Sequence, residues 1–454
     1  MSQVLLTEGR VSSLLLKLTL PMIWGSFTVI AFNLADTYFV GQIGTAELAA
    51  MTFTFPVVLL LGNLAMGLGI GVSSVVSRAV GEGDPARVKR LTMASLTLSL
   101  VVVGVFVLAG LGTIEPLFTL LGVEPEILPL VRDYMQIWYL GMVFLVVPMV
   151  GNSIIRATGD AQTPSLIMTL AAFINILLDP LLIFGWGPFP ALELQGAALA
   201  TVIARAMTLV ASLLVLGLRE KLLLYYVPSL HEAREHWRRI LQIGFPAALT
   251  RAIVPLSMGF ITSIVAAYGP EAIAGFGIAL RVESFALIVP IALPASIGPF
   301  VGQNWGAQRY DRIRQALKLS FRFSLIFGVF LAVTLASSAG QIATLFNSDP
   351  EVVRVVTIYL IIAPIGYGAA AVLFTASSVS NALGRPLPAV VMSLVQMLMF
   401  YVPLAYIGSW LFGLRGIFIA ACLANLIVGF GALLWSIHTC FMKAPTSAVT
   451  IPVD

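Results

Sequence analysis

Three acidic residues fall well inside long apolar stretches of this 454-residue sequence: Asp36, Asp179 and Glu283. Placing a charged side chain in a bilayer costs on the order of 2.5–3.5 kcal/mol on insertion scales, so such residues face a partner or a cavity. Two of the three have polar company. INILLDPLL sets Asn175 one helical turn before Asp179 and on the same helix face. NLAD puts Asn33 one turn before Asp36, and GAALATVIAR brings Thr201 a little way into the apolar stretch that follows Asp179. Two carboxylates, an amide oxygen and a hydroxyl suit a hard cation such as Na+, which takes oxygen ligands. They suit a proton equally well, because burial and a like-charged neighbour both favour a protonated carboxyl. Pro180 removes a backbone hydrogen bond directly after Asp179, leaving the carbonyl of Ile176 free to kink the helix or add a ligand. For Asn175 or Thr201 alone, gluing helices together is the simpler account, whereas the aspartates point to function.

Other chemistry finds little support. Cys422 and Cys440 lack any metal-ligand spacing, and His231, His236 and His438 lie in a loop or near the C-terminus. HEAREH at 231–236 resembles a zinc-protease motif, but its histidines are five apart and do not share a helix face, so a solvated charged loop is expected there. GLGIGVSS at 67–74 has no strand before it and reads as close helix packing. GNSIIRATG holds Ser153 without a histidine in reach. No GxxxxGK[ST] loop is present, which disfavours an ATP-driven pump. The expectation is a protein that is not an enzyme and carries no cofactor beyond Na+ or H+. Arg205, Arg251 and Arg281 are further intramembrane charges. Arg281 and Glu283, two apart and so not facing each other, are each free to snorkel or to line a cavity, and Arg251 is a candidate partner for Glu283 across the helices.

The elements that position these residues follow from hydropathy. With 59% hydrophobic and 10% charged residues, and a mean hydropathy of +1.00, the chain is an all-α polytopic membrane protein. Twelve spans are expected at 12–40, 48–77, 91–111, 130–155, 164–185, 196–218, 239–267, 276–302, 317–337, 352–380, 387–411 and 415–440. The first lacks a small-residue cleavage site and reads as a retained span. Lys and Arg crowd the loops after even-numbered spans, as in VGEGDPARVKR and GQNWGAQRYDRIR, so both termini are expected to be cytoplasmic. These basic residues set topology and leave nothing for a nucleic-acid partner to explain.

The sequence repeats itself about 225 residues on. LPMIWGSF answers FPAALTRA, GTAELAAM answers GPEAIAGF, and RATGDAQTP answers NALGRPLP. Six spans per half insert the same way round. The halves are therefore expected to be pseudo-symmetric six-helix bundles about an axis along the membrane normal, with a cavity between them. Boundaries are placed at 1–220 for the N-terminal lobe, 221–238 for a cytoplasmic linker and 239–454 for the C-terminal lobe. Spans 1 and 5 both run outward, with Asp36 shortly before Gly41 and Asp179 shortly before Gly185, which puts the carboxylates level in the outer half of the membrane. Arg281 and Glu283 are placed near the outer end of span 8.

NLADTYFVGQIGT in span 1, the GxGxG run in span 2, RATGDAQTP before span 5 and NILLDPLLIFG within it resemble the multidrug and toxic compound extrusion (MATE) transporters over nearly the whole chain. The resemblance is to the prokaryotic branch that carries its ionisable cluster in the N-terminal half. It implies an ion site at Asp36, Asn175, Asp179 and Thr201, with Tyr139 nearby, and leaves Asn33 and Glu283 as further lining. It also implies a secondary antiporter of a bacterial or archaeal inner membrane, exporting amphipathic and often cationic compounds against Na+ or H+. Membrane lipid and small amphiphilic substrates are the expected partners, and a monomer the expected state. A flippase for lipid-linked or amphiphilic metabolites is the alternative on the same plan. The sequence departs from the family's other bacterial branch, because spans 7 and 10 carry no acidic residue.

Overall fold

The computed structural model describes residues 6–185, 190–223 and 230–442. Among them the chain is helical throughout, with no β-strand. Helices α1 (Val11–Gly41), α2 (Thr45–Glu82), α3 (Pro85–Leu120), α4 (Leu128–Leu140), α5 (Val143–Ala157), α6 (Gln162–Ile183) and α7 (Glu193–Leu214) make up the first six spans. The second six comprise α8 (Leu230–Ala266), α9 (Pro270–Ala286), α10 (Ile288–Gly306), α11 (Tyr310–Phe346), α12 (Pro350–Ile362), α13 (Tyr367–Ala382), α14 (Leu387–Leu394), α15 (Val402–Phe412) and α16 (Leu414–Ser436). Ten helical runs are long and apolar enough to cross a membrane alone. The bent pairs α4–α5 (41°) and α9–α10 (44°) bring the total to twelve. The protein is therefore an all-α membrane protein on a two-bundle plan.

The interruptions have chemical causes. A proline within a helix lacks the N–H that would bond four residues back. Pro290 denies that bond to Ala286 at the α9–α10 bend. Pro364 sits in the 3₁₀ turn Ala363–Gly366 that separates α12 from α13. Pro403 follows the π-helical stretch Val395–Tyr401 between α14 and α15. Helix starts are equally legible. Asp84 accepts from the Arg87 N–H at 2.9 Å to begin α3, and Asp349 accepts from Glu351 and Val352 at 2.8 and 3.2 Å to begin α12. The repeat is visible in the backbone. Gly159 and Gly384 both take positive φ (98° and 74°), and in each turn the next residue's N–H reaches five residues back, Asp160 to Ile155 and Arg385 to Ser380.

Two compact units divide the described residues: 17–252 form the first, and 6–16 with 253–442 the second. Of the linker placed at 221–238, residues 224–229 lie outside the described residues, and from Leu230 onward the chain is already α8. HEAREH accordingly forms the first turns of a helix instead of a loop. Its charges pair there, Glu232 with Arg90 (3.7 Å) and His236 (3.9 Å), and Glu235 with Arg239 (2.6 Å). The glycines of GLGIGVSS do serve close packing. A Cβ on Gly67 would meet the backbone of Ala248 at 2.6 Å, and one on Gly71 the carbonyl of Ile240 at 2.5 Å.

In the second unit, the segment before α1 is stitched to the α10–α11 turn. The Leu6 N–H donates to Gln303 Oε1 at 2.9 Å, and Asn304 Nδ2 donates to the Leu6 carbonyl at 3.1 Å. The Arg312 guanidinium donates to the carbonyls of Leu6, Glu8 and Gly9 at 3.1, 3.2 and 2.8 Å, and to Asn304 Oδ1 at 3.0 Å.

Candidate functional site: a buried aspartate pair in the first unit

α6 packs along α7, and α7 along α4. Ser165 of α6 donates to the Pro21 carbonyl of α1, and Asp36 of α1 acts on Asp179 of α6. Asp179 is fully buried, Asn175 nearly so, and Asp36 and Thr201 are both 8% exposed. Asn175 lies between Asp179 and Thr201, as its position one turn below Asp179 requires. With its amide nitrogen toward Asp179, it donates to Oδ2 at 3.0 Å while its oxygen accepts from the Thr201 N–H at 3.2 Å. The opposite orientation leaves only a 3.3 Å contact from Nδ2 to Thr201 Oγ1 and sets the amide oxygen against a carboxylate. The first satisfies both ends of the amide and is the one adopted here.

Asp36 and Asp179 lie within electrostatic reach of one another. Each keeps one buried carboxylate oxygen, Oδ1, with no hydrogen-bond partner among the described residues. A buried acceptor left unmatched costs about 1–3 kcal/mol, more when charged. Two such oxygens, on carboxylates within each other's field, have the chemistry to take a proton or a small cation.

Sequence reasoning missed two members of the site. The Arg205 guanidinium, one turn after Thr201 on α7, acts on Asp36 and stands over the Trp138 ring at 6.0 Å. The buried Tyr134 hydroxyl, on α4, lies within the field of Asp36, Asp179 and Arg205. The signal for Arg205 was its spacing: Thr201 and Arg205 are i,i+4 and share a face. Tyr139 takes another place, with its ring against Gly110 of α3 and edge-on to Trp138 at 6.1 Å. Asn33 is exposed, and its carbonyl accepts from the Thr37 hydroxyl at 2.8 Å. Glu283 belongs to the second unit. α9 begins at Pro270, earlier than hydropathy suggests, so Glu283 stands thirteen residues in, next to the α9–α10 break and away from the helix start. Its carboxylate accepts from the Tyr359 hydroxyl.

Comparison with known proteins agrees with the repeat. The MatE family profile matches twice, over residues 21–181 and 246–407, and the two matches start 225 residues apart. The chain is 39% identical to the FAD transporter of Shewanella oneidensis over 98% of its length and 99% of that protein's. It is 25% identical to the multidrug export protein MepA of Staphylococcus haemolyticus, over 94% and 93%. A mutant of the Vibrio cholerae MATE transporter VcmN superposes with a TM-score of 0.90 at 28% identity, covering 95% of this chain and 99% of that one. By sequence, by repeat and by fold, the chain belongs to the MATE family of membrane transporters.

Proposed function

We propose that the protein is a secondary antiporter of a bacterial or archaeal inner membrane, with both termini cytoplasmic, that exports aromatic amphiphiles in exchange for Na+ or H+. The observation that carries the coupling is the pair of unpartnered oxygens on Asp36 and Asp179. An ion taken up there neutralises charge that is otherwise held in a buried site. Asn175 and Thr201 hold Asp179 in place, and Arg205 balances Asp36. Loading the site changes the relative stability of the transport conformations, and a substrate with different affinity for those conformations moves in exchange.

FAD is the first substrate to test, because the relative named as an FAD transporter aligns along almost the entire chain at 39% identity. A dinucleotide offers planar rings for an apolar cavity and a diphosphate for intramembrane arginines. Amphipathic organic cations come second, from the relatives named as multidrug exporters. The test uses proteoliposomes loaded with FAD or a cationic dye, with a Na+ or a proton gradient imposed alone. Gradient-driven movement of one substrate is expected, and it should vanish in Asp36→Asn and Asp179→Asn. Wild-type rates in both variants would refute the coupling, and movement indifferent to either gradient would indicate a passive channel.

A further inference from the structure

The second unit holds an ionisable cluster of different construction. Glu283 lies at the end of α9, Tyr359 in α12, Tyr367 at the start of α13 and Tyr401 at the end of the π-helical stretch. The three tyrosines are buried, at 3%, 2% and 7% exposure, while Glu283 is partly exposed. Tyr359 donates its hydroxyl proton to the Glu283 carboxylate. The Tyr367 hydroxyl lies beside the same carboxylate, and Tyr401 lies within its field. Tyr367 Oη is buried without a hydrogen-bond partner among the described residues.

Every helix that supplies the cluster is interrupted beside it. α9 breaks after Ala286, α12 and α13 meet through the 3₁₀ turn between Tyr359 and Tyr367, and Tyr401 closes the π turn. Such irregularities inside spans mark hinges and sites, because the freed backbone and the altered side-chain register are costly without a role. One carboxylate and three phenols are gathered at three interruptions of the bundle.

We propose that Glu283, Tyr359 and Tyr367 form a second proton-binding centre, independent of Asp36 and Asp179. In the ionised state the carboxylate accepts from Tyr359. When Glu283 takes up a proton it becomes a donor, and the unpartnered oxygen of Tyr367 is placed to accept. The hydrogen bond then moves from the α12 side of the 3₁₀ turn to its α13 side. A metal ion is the poorer occupant, because the Tyr359 O–H already points at the carboxylate where a cation would have to sit. Among the described residues, no charged side chain acts on Glu283 from the packed helices. α10 has no titratable side chain, α11 carries its ionisable groups only between Tyr310 and Arg322, and the Glu351–Arg354 pair stands at the start of α12. On α9 itself Arg281 is exposed, and Glu271 lies in the first turn. α16 contributes Arg415 at its start and the Cys422 thiol.

Infrared difference spectra of the full chain in nanodiscs, recorded across a pH titration, test this directly. A protonated-carboxyl band that titrates with pH apart from the exposed carboxyls is expected to remain in an Asp36→Asn/Asp179→Asn variant that also carries Glu220→Gln. It should disappear when Glu283→Gln is added, and shift in frequency with Tyr359→Phe or Tyr367→Phe. No such band in that variant, or one that survives Glu283→Gln, would overturn the proposal. Neither result depends on whether the aspartates drive transport, so the two readings fail separately.

Discussion

The two units hold their buried acids in opposite ways. In the first, two aspartates lie within each other's field, one arginine acts on Asp36, and each aspartate leaves a carboxylate oxygen bare. In the second, a single glutamate stands among phenols, accepts from one of them and has no second carboxylate beside it among the described residues. Bare oxygens invite an ion to enter. A carboxylate already given a donor has less need of one and can respond only by rearranging its hydrogen bonds. The difference suggests a division of labour, in which one half takes the coupling ion and the other senses protonation at its hinges.

The largest effect that would break this comparison is expected from Asp179→Asn. The substitution keeps the shape and removes the charge, and gradient-driven transport in proteoliposomes should fall at least about tenfold, or ~1.4 kcal/mol. A rate within twofold of wild type would leave the first unit no more ion-responsive than the second. Glu283→Gln should slow proton-driven transport several-fold while sparing any Na+-driven component. Equal loss under both gradients would erase the contrast. Asn175→Ala removes the amide between Asp179 and Thr201 and should weaken apparent ion affinity by about 0.5–1.5 kcal/mol, seen as a shift in half-saturating ion concentration. An unchanged midpoint would make the amide mere filler.

Glu220 separates burial from function, because it is a buried carboxyl at the end of the first unit's last span and belongs to neither site. Burial pushes its pKa up, Arg219 opposes that shift, and Asp160 adds to it. A raised folded pKa means that stability is fully present at acid pH and is lost as pH rises through the folded value. Glu220→Gln should therefore raise the melting temperature near neutral pH, with the gain vanishing in acid. A gain independent of pH would contradict this account. The smallest effect is expected from Glu351→Gln at the exposed Arg354 pair, where less than about 1 kcal/mol is at stake. A large loss there would mean that the N-terminal turn of α12 acts on Tyr359.

Most of the first site is written in local spacing. Asn175 with Asp179, and Thr201 with Arg205, are i,i+4 pairs, so one apolar helix apiece declares its polar face. Asn33 obeys the same rule and still turns outward. A single face cannot show which neighbour covers it, and the packing of α1 against its neighbours decides that. The twelve spans and the 225-residue repeat were readable because hydropathy and turn glycines are local signals. The α9 start was not, because Pro270 extends the helix through residues of modest hydropathy, which displaced Glu283 to the wrong depth. The phenol cluster was invisible for a different reason. Tyr359, Tyr367 and Tyr401 come from three interruptions, and only tertiary contact brings them onto one carboxylate.

The stitching of Leu6, Glu8 and Gly9 to Arg312 has a consequence in time. The partners in one of these bonds are 303 residues apart. At about 5–20 residues per second, Arg312 leaves the ribosome roughly 15–60 s after Gly9. During synthesis the head of the first helix must wait, unanchored, until most of the protein has followed it into the membrane.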